Sequence, residues 1–267
     1  MSDRFYFDAG ADGYDRSFGR VSSKFIPTLT RSAHLSSGHR ALDVATGTGV
    51  AAEAAAEIVG PSGHVVAADI SVPILDQARI RLCGRANVSF AIEDGQALTF
   101  PEGRFDTVLC SMGLMLFPDP AQGLSEFRRV LRKGGRAAVS VGTTPERSFV
   151  ARISAAIARH VPSKAKDSTR FFTLGNANRL QALFEAAGFS AIKTTTKTCR
   201  FPFRSFDDYF EPIEVGSGNV AVEYLSLVPE IRRAVREDIR RELEGAAASG
   251  GPIEVEVEVL YASGRKG

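Results

Sequence analysis

Between residues 40 and 142 short apolar runs alternate with stretches patterned for helices, and this alternation narrows the folds open to the chain. The run ALDVA (41–45) passes through a TGTG turn into VAAEAAAEIV (50–59), an alanine-rich helix stopped by Gly60-Pro61. HVVAAD (64–69) precedes a helix from Ser71 to Leu82, with Ser71 placed as its N-cap. VSFAIED (88–94) and FDTVLCSM (105–112) are further strands. Pro120 to Leu131 is a helix with proline in its first turn, and GRAAVSVG (135–142) is a strand after a Gly-Gly turn. Strands this continuously apolar, alternating with helices, predict a parallel sheet covered on both faces. The expected fold class is α/β: a doubly wound, seven-stranded, mostly parallel sheet.

The flanks read differently. Phe18, Val21, Phe25, Leu29 and Ala33 step by three and four, so 14–35 is expected to be helical, broken or kinked at Pro27. Residues 147–161 read as an amphipathic helix, 178–187 as another ended by Gly188, and 190–199 as a strand. Residues 202–251 are mostly helical and polar. Near the end, Ile253, Val255, Val257 and Val259 alternate with Glu254, Glu256 and Glu258, the period-two pattern of a half-exposed antiparallel or edge strand. No internal repeat or low-complexity linker interrupts the chain. The expectation is one domain over 1–267, with covering helices in 1–39, a core in 40–142, and helical lid insertions at 143–177 and 202–251.

Composition excludes several classes. A chain of 267 residues buries enough surface to need no disulfide or metal staple. Thirty-three Lys+Arg against 31 Asp+Glu leave a dispersed net charge of +2, which is no nucleic-acid footprint. The three cysteines and four histidines have no metal-ligand spacing, and the odd cysteine count points to a reduced, cytoplasmic setting. The first residues mix acids, bases and glycine without an apolar signal region, and no run approaches the roughly 18 apolar residues of a membrane span.

Three strand ends carry chemistry. After the first, Ala45-Thr46-Gly47-Thr48-Gly49 forms a turn whose glycines let a ligand approach the backbone and whose following helix offers free N–H groups; an ordinary glycine turn would look the same. Asp43 lies inside the apolar strand, where a carboxylate is costly unless a cation or donor meets it. Asp69, 22 residues after Gly47, can accept both hydroxyls of a ribose, or serve as a helix-terminal acid. Asp94 and Gly95, after the third strand, suit either an adenine edge or an Asp-Gly turn. Ligands of open parallel sheets sit outside such strand ends.

The ordered motifs LDVATGTG, VVAADIS, EDGQALTFPEGRFDTVLCSMGL and FRRVLRKGGRAAVS resemble the class I S-adenosylmethionine-dependent methyltransferases, and among them the ubiquinone/menaquinone-type C-methyltransferases and their small-molecule relatives. The resemblance covers about 40–142 and extends loosely to AGFSAIK (186–193). It implies a Rossmann-like methyltransferase fold and S-adenosylmethionine as cofactor. It also implies that Asp43, Ala45, Thr46, Gly47 and Gly49 serve the methionine end, Asp69 and Ile70 the ribose and adenine, and Asp94 and Gly95 the adenine edge. Ser111 and Met112 would line the methyl-donor channel, and Tyr14 resembles the tyrosine of a covering helix. Ala45 departs from the family's first glycine and Thr46 from a frequent cysteine.

The implied activity is in-line methyl transfer to a hydrophobic small-molecule acceptor such as a quinone, phenol, polyketide or lipid, with no metal, no nucleic acid and no membrane span. The implied assembly is a monomer or homodimer. His160 is the candidate general base, a position that also suits a helix C-terminal histidine. Nine aromatic residues between 171 and 210 read as an apolar lid over the acceptor or as packing of the insertions onto the sheet. Two rivals remain at this point: a methyltransferase fold with a non-methylating role, and an NAD-dependent oxidoreductase, against which Asp43 and the closing strand argue.

Overall fold

The computed structural model describes residues 20–164, 172–216, 219–245 and 251–267. Helices α1 (Arg20–Ser23) and α2 (Ile26–Ser32) precede the alternating core. The core runs β1 (Arg40–Val44), α3 (Val50–Val59), β2 (His64–Asp69), α4 (Val72–Arg81), β3 (Val88–Ile92), β4 (Phe105–Ser111), α5 (Pro120–Val130) and β5 (Leu131–Gly142). Beyond it come α6 (Ala151–His160), α7 (Ala177–Ala186), β6 (Phe189–Phe203), α8 (Phe206–Glu214), α9 (Asn219–Leu225), α10 (Pro229–Glu244) and β7 (Ile253–Lys266).

The seven strands lie in the order β3-β2-β1-β4-β5-β7-β6. The first five are mutually parallel and β7 is antiparallel to both neighbours. Two apolar cores occupy the two faces. One joins α2, α3, α6, α8 and α10 to the sheet through Leu29, Ala55, Ile157, Phe210 and Ile239; the other joins α5 and α7 through Phe127 and Phe184. The alanines of α3 (Ala51, Ala52, Ala55, Ala56) bury its inner face with little bulk, so this helix lies close against the strands. Side-chain caps fix where helices begin. Ser71 accepts from the Ile74 N–H of α4, Asp119 from Ala121 and Gln122 in α5, and Asn176 from Arg179 in α7.

Several boundaries differ from the sequence reading. The break near Pro27 falls between Ser23 and Ile26, which leaves the proline in the first turn of α2 where its missing N–H costs nothing. β5 begins at Leu131, ahead of the Gly-Gly pair, and α6 begins at Ala151 rather than 147. β7 is no edge strand: it is threaded between β5 and β6. Its alternation has another source. Residues 253–258 pair with β6 alone, beyond the reach of β5, so one face packs inward through Ile253, Val255 and Val257. On the other face Glu256 meets Arg200 and Glu258 meets Arg147. Among the described residues no helix is long and apolar enough to cross a membrane.

Candidate cofactor and acceptor cavity

The turn after β1 is built from left-handed backbone. Ala45, Gly47 and Gly49 have φ of 55°, 58° and 85°, and Gly49 is the N-cap of α3. Glycine adopts this region freely, whereas an alanine there is strained by about 1–2 kcal/mol. Ala45 is accommodated by Gly113 across the turn, where an added Cβ would stand 2.5 Å from the Ala45 methyl. The departure from a glycine-first motif thus has a local counterpart that sequence spacing did not reveal.

Asp69, at the end of β2, ties this turn to the next helix. Its Oδ2 accepts from the Gly47 N–H at 2.9 Å and its Oδ1 from the Ser71 N–H at 3.0 Å. Asp43 is fully buried beneath the turn, and the Thr46 hydroxyl donates to its Oδ2 at 2.6 Å. Its Oδ1 has no hydrogen-bond partner among the described residues. Burial pushes the Asp43 carboxyl up to about 7; the Thr46 hydroxyl opposes the rise and the nearby Asp69 charge adds to it. After β3, Asp94 Oδ1 accepts from the Gln96 N–H at 2.9 Å, while buried Glu93 accepts from the Thr99 N–H and hydroxyl at 2.9 and 2.5 Å. Gly95 is fixed by packing, because a Cβ there would lie 2.3 Å from the Phe117 ring.

A cavity of about 280 Å³ opens over these strand ends. Ala45, Thr46, Gly47, Asp69, Ile70, Asp94, Gly95, Ser111 and Met112 line one part of it, so nine of the twelve residues expected to hold a cofactor meet there. Gly49 stands just behind, held against α4 at Leu82 and Ala78. Asp43 is also behind the lining, so the three strand-end acids do not all face one space: Asp69 and Asp94 do, and Asp43 supports the turn from below. Tyr14 lies outside the described residues.

The rest of the cavity is mostly apolar, and the sequence reading places Phe25 and Ile26 in the covering helices and Phe149 and Ala151 in the 143–177 insertion without singling any of them out for the site. Its walls come from Phe25 and Ile26 of α2, Phe149 and Ala151 at the start of α6, and Val257 and Val259 of β7. Met112, with φ of 57°, follows the end of β4 and lines the cavity. Among the described residues the ionisable groups lining the whole cavity are Asp69, Glu93 and Asp94, all at the polar end. His160 is not among them. It is 27% exposed at the end of α6, and its Nε2 sits 2.9 Å from Asp238 Oδ2 on α10, so the candidate base is instead a link between two helices. Of the two readings of the aromatic run, packing describes Phe206, Tyr209 and Phe210. Phe206, Tyr209 and Phe210 stack into a buried chain reaching Phe149 and Tyr224, and of the nine rings only Phe172 is among the described lining. The signal that could have found the apolar walls was the inward face of the closing strand; its partner surface was not readable.

Known proteins share both the motifs and the fold that build this cavity. The methyltransferase domain family matches residues 41–135. A demethylmenaquinone methyltransferase of Clavibacter sepedonicus is 38% identical over 150 residues, which is 55% of this chain and 60% of that protein. The chain spans about half to six-tenths of the length of the quinone-type relatives it matches. A nocamycin O-methyltransferase of Saccharothrix syringae is 31% identical over 242 residues, 84% of each chain. The fold is shared with phosphoethanolamine N-methyltransferase 2 of Haemonchus contortus, crystallised with S-adenosyl-L-methionine (TM-score 0.60, 19% identity, 98% of this chain and 58% of that one).

Proposed function

Because the chain belongs to the class I S-adenosylmethionine-dependent methyltransferases, we propose that it transfers a methyl group from S-adenosylmethionine to a hydrophobic small-molecule acceptor. The acceptor is of quinone, phenol, polyketide or lipid-like character. One observation carries this reading: a single cavity joins an acid- and glycine-lined end over β1, β2 and β3 to an apolar end walled by α2, α6 and β7.

The residues present fit the cofactor. A Cβ at Gly47 would meet nothing within 4 Å, so the turn borders open space beside the backbone. In this reading Asp69 accepts from the ribose hydroxyls, Asp94 and Gly95 border the adenine, and the Ala45–Gly47 turn holds the methionine end. Asp43 keeps that turn in shape through Thr46. S-adenosylmethionine held there would supply an activated methyl for in-line transfer to the acceptor's nucleophile. The chain's own contribution is alignment and exclusion of water, which for a well-oriented pair accounts for about 7–11 kcal/mol of barrier. Ser111 and Met112 line the same cavity, and in this reading the apolar walls take the acceptor's hydrophobic body.

The test is formation of S-adenosylhomocysteine with a panel of hydrophobic quinones, phenols, polyketides and lipids. It is coupled to calorimetric titration of S-adenosylmethionine into wild type and Asp69→Ala. The variant is expected to bind the cofactor roughly tenfold or more weakly, since a buried charged acceptor is lost. Its circular dichroism is expected to stay native. Unchanged affinity removes Asp69 from the site, and no product with any acceptor refutes methyl transfer to this class.

A further inference from the structure

A second concavity, of about 330 Å³, lies at the opposite end of the sheet, where β1, β4 and β5 begin and β7 finishes. His34, His39, Asp106, Arg132, Arg136 and Arg265 line it. Arg136 and Arg265 are directly opposed in the antiparallel β5–β7 ladder, an arrangement that destabilises a sheet when both residues carry like charge. Among the described residues neither guanidinium forms an ion pair. Arg136 Nη1 makes only a 3.4 Å contact to the Ala191 carbonyl, and Arg265 Nε a 3.4 Å contact to that of Gly134. Partial burial, and after it the Arg265 charge, lower the Arg136 pKa. The carboxylate in the cleft is already engaged: Asp106 accepts from the Arg40 N–H at 2.7 Å and from the Arg132 guanidinium. His39 Nδ1 is 3.2 Å from Thr107 Oγ1. The left-handed backbone of His34, at φ 52°, closes the C-terminus of α2, where the Leu35 N–H donates to the Thr30 carbonyl, and that of Ala191, at 47°, falls in the register shift of β6 between Ser190 and Lys193.

We propose that this cleft binds a phosphate-type oxyanion, with the Arg136 and Arg265 guanidiniums as its principal ligands and Arg132 at its rim. Two arginines stand opposite one another in the ladder, and among the described residues neither is paired with a carboxylate. A tetrahedral phosphate oxyanion placed there accepts paired N–H bonds and offsets the cross-strand repulsion. A free phosphate and the phosphodiester of a lipid headgroup present this same chemistry, and the site is distinct from the cavity assigned above to methyl transfer.

The experiment uses the full chain and does not read methyl transfer. Thermal unfolding and calorimetry are followed against inorganic phosphate and pyrophosphate at constant ionic strength, for wild type, Arg265→Gln and the Arg136→Gln/Arg265→Gln pair. Co-sedimentation is measured in parallel with phosphatidylglycerol and phosphatidylcholine vesicles. Wild type is expected to show a saturable rise in Tm, with affinity falling roughly tenfold or more in the double variant as charge-assisted bonds are lost. The anion-free variants are expected to melt at or above wild type, because the opposed charges are gone. Phosphatidylglycerol binding that disappears in the variants identifies a lipid headgroup as the source, and a phosphate response without vesicle binding identifies a free anion. No saturable response to either anion or to vesicles overturns the proposal, as do equal responses in wild type and Arg265→Gln.

Discussion

Replacing Asp43 with asparagine isolates what the buried carboxylate under the β1 turn does to the fold. Burial, opposed by the Thr46 hydroxyl and reinforced by the Asp69 charge, raises its pKa from 3.8 to about 7. A raised carboxyl pKa means that the folded chain binds a proton the unfolded chain has released. Stability from this group is therefore greatest in acid and is lost as pH climbs from about 4 to about 7. A rise of that size corresponds to roughly 4 kcal/mol between the two limits. A pH of about 5 lies well below the folded value, so moving from about pH 8 to about pH 5 should stabilise wild type by roughly 3 kcal/mol through this group alone. Asp43→Asn keeps an acceptor for Thr46 but cannot ionise, so this increment should be missing from it. Urea unfolding of both proteins at the two pH values gives the difference directly, with every other titrating group common to both. If the gap between wild type and variant is the same at both pH values, or widens in the opposite direction, Asp43 is not a strained buried carboxyl and the account of the turn fails.

Three further outcomes follow from the geometry. Gly95→Ala drives a methyl into the Phe117 ring and to within 2.9 Å of Val44; it should lower stability by about 1–3 kcal/mol in chemical denaturation and weaken cofactor binding in the same calorimetric assay. His160→Ala removes one partner of Asp238, which keeps Arg241 at 2.9 Å, so stability should fall by less than about 1 kcal/mol with kcat unchanged. A general base would instead cost about 10²–10⁴ in rate. Val257→Phe fills the apolar end from β7 and should raise the acceptor KM while leaving the Kd for S-adenosylmethionine at its wild-type value; a parallel loss of both would mean the two ends are not separate.

The core was legible because its signals are local. Each strand from β1 to β4 is a short apolar run bounded by a glycine turn, an acid or a cap, and Asp69, Asp94 and Gly95 follow from being at strand ends, whereas Ser111 and Met112 follow only from the family resemblance. Depth was not legible. Asp43 reads as a site acid in sequence, yet one residue's difference along a strand decides whether a side chain faces the ligand space or the layer below. His160 carried the right chemistry on the right helix, but its partner Asp238 lies 78 residues away and no periodicity announces that pairing. The aromatic run shows the same limit. Spacing marks Phe206, Tyr209 and Phe210 as one helical face without saying that the face meets Phe149 and Tyr224 rather than a ligand. Arg136 and Arg265 are far apart along the chain, and only the strand register sets them face to face.

The position of β7 has a consequence for how the molecule is assembled. This strand is made after β6 yet must slot between β6 and β5, so until it arrives both of those strands present open edges with unpaired backbone groups. The nascent chain can complete the β3-β2-β1-β4-β5 half early, but Val257 and Val259, which wall the acceptor end, come in with the final insertion. Competence toward the acceptor is then gained in one late zippering event, and the interval before it is when this protein is most exposed to pairing with a neighbour.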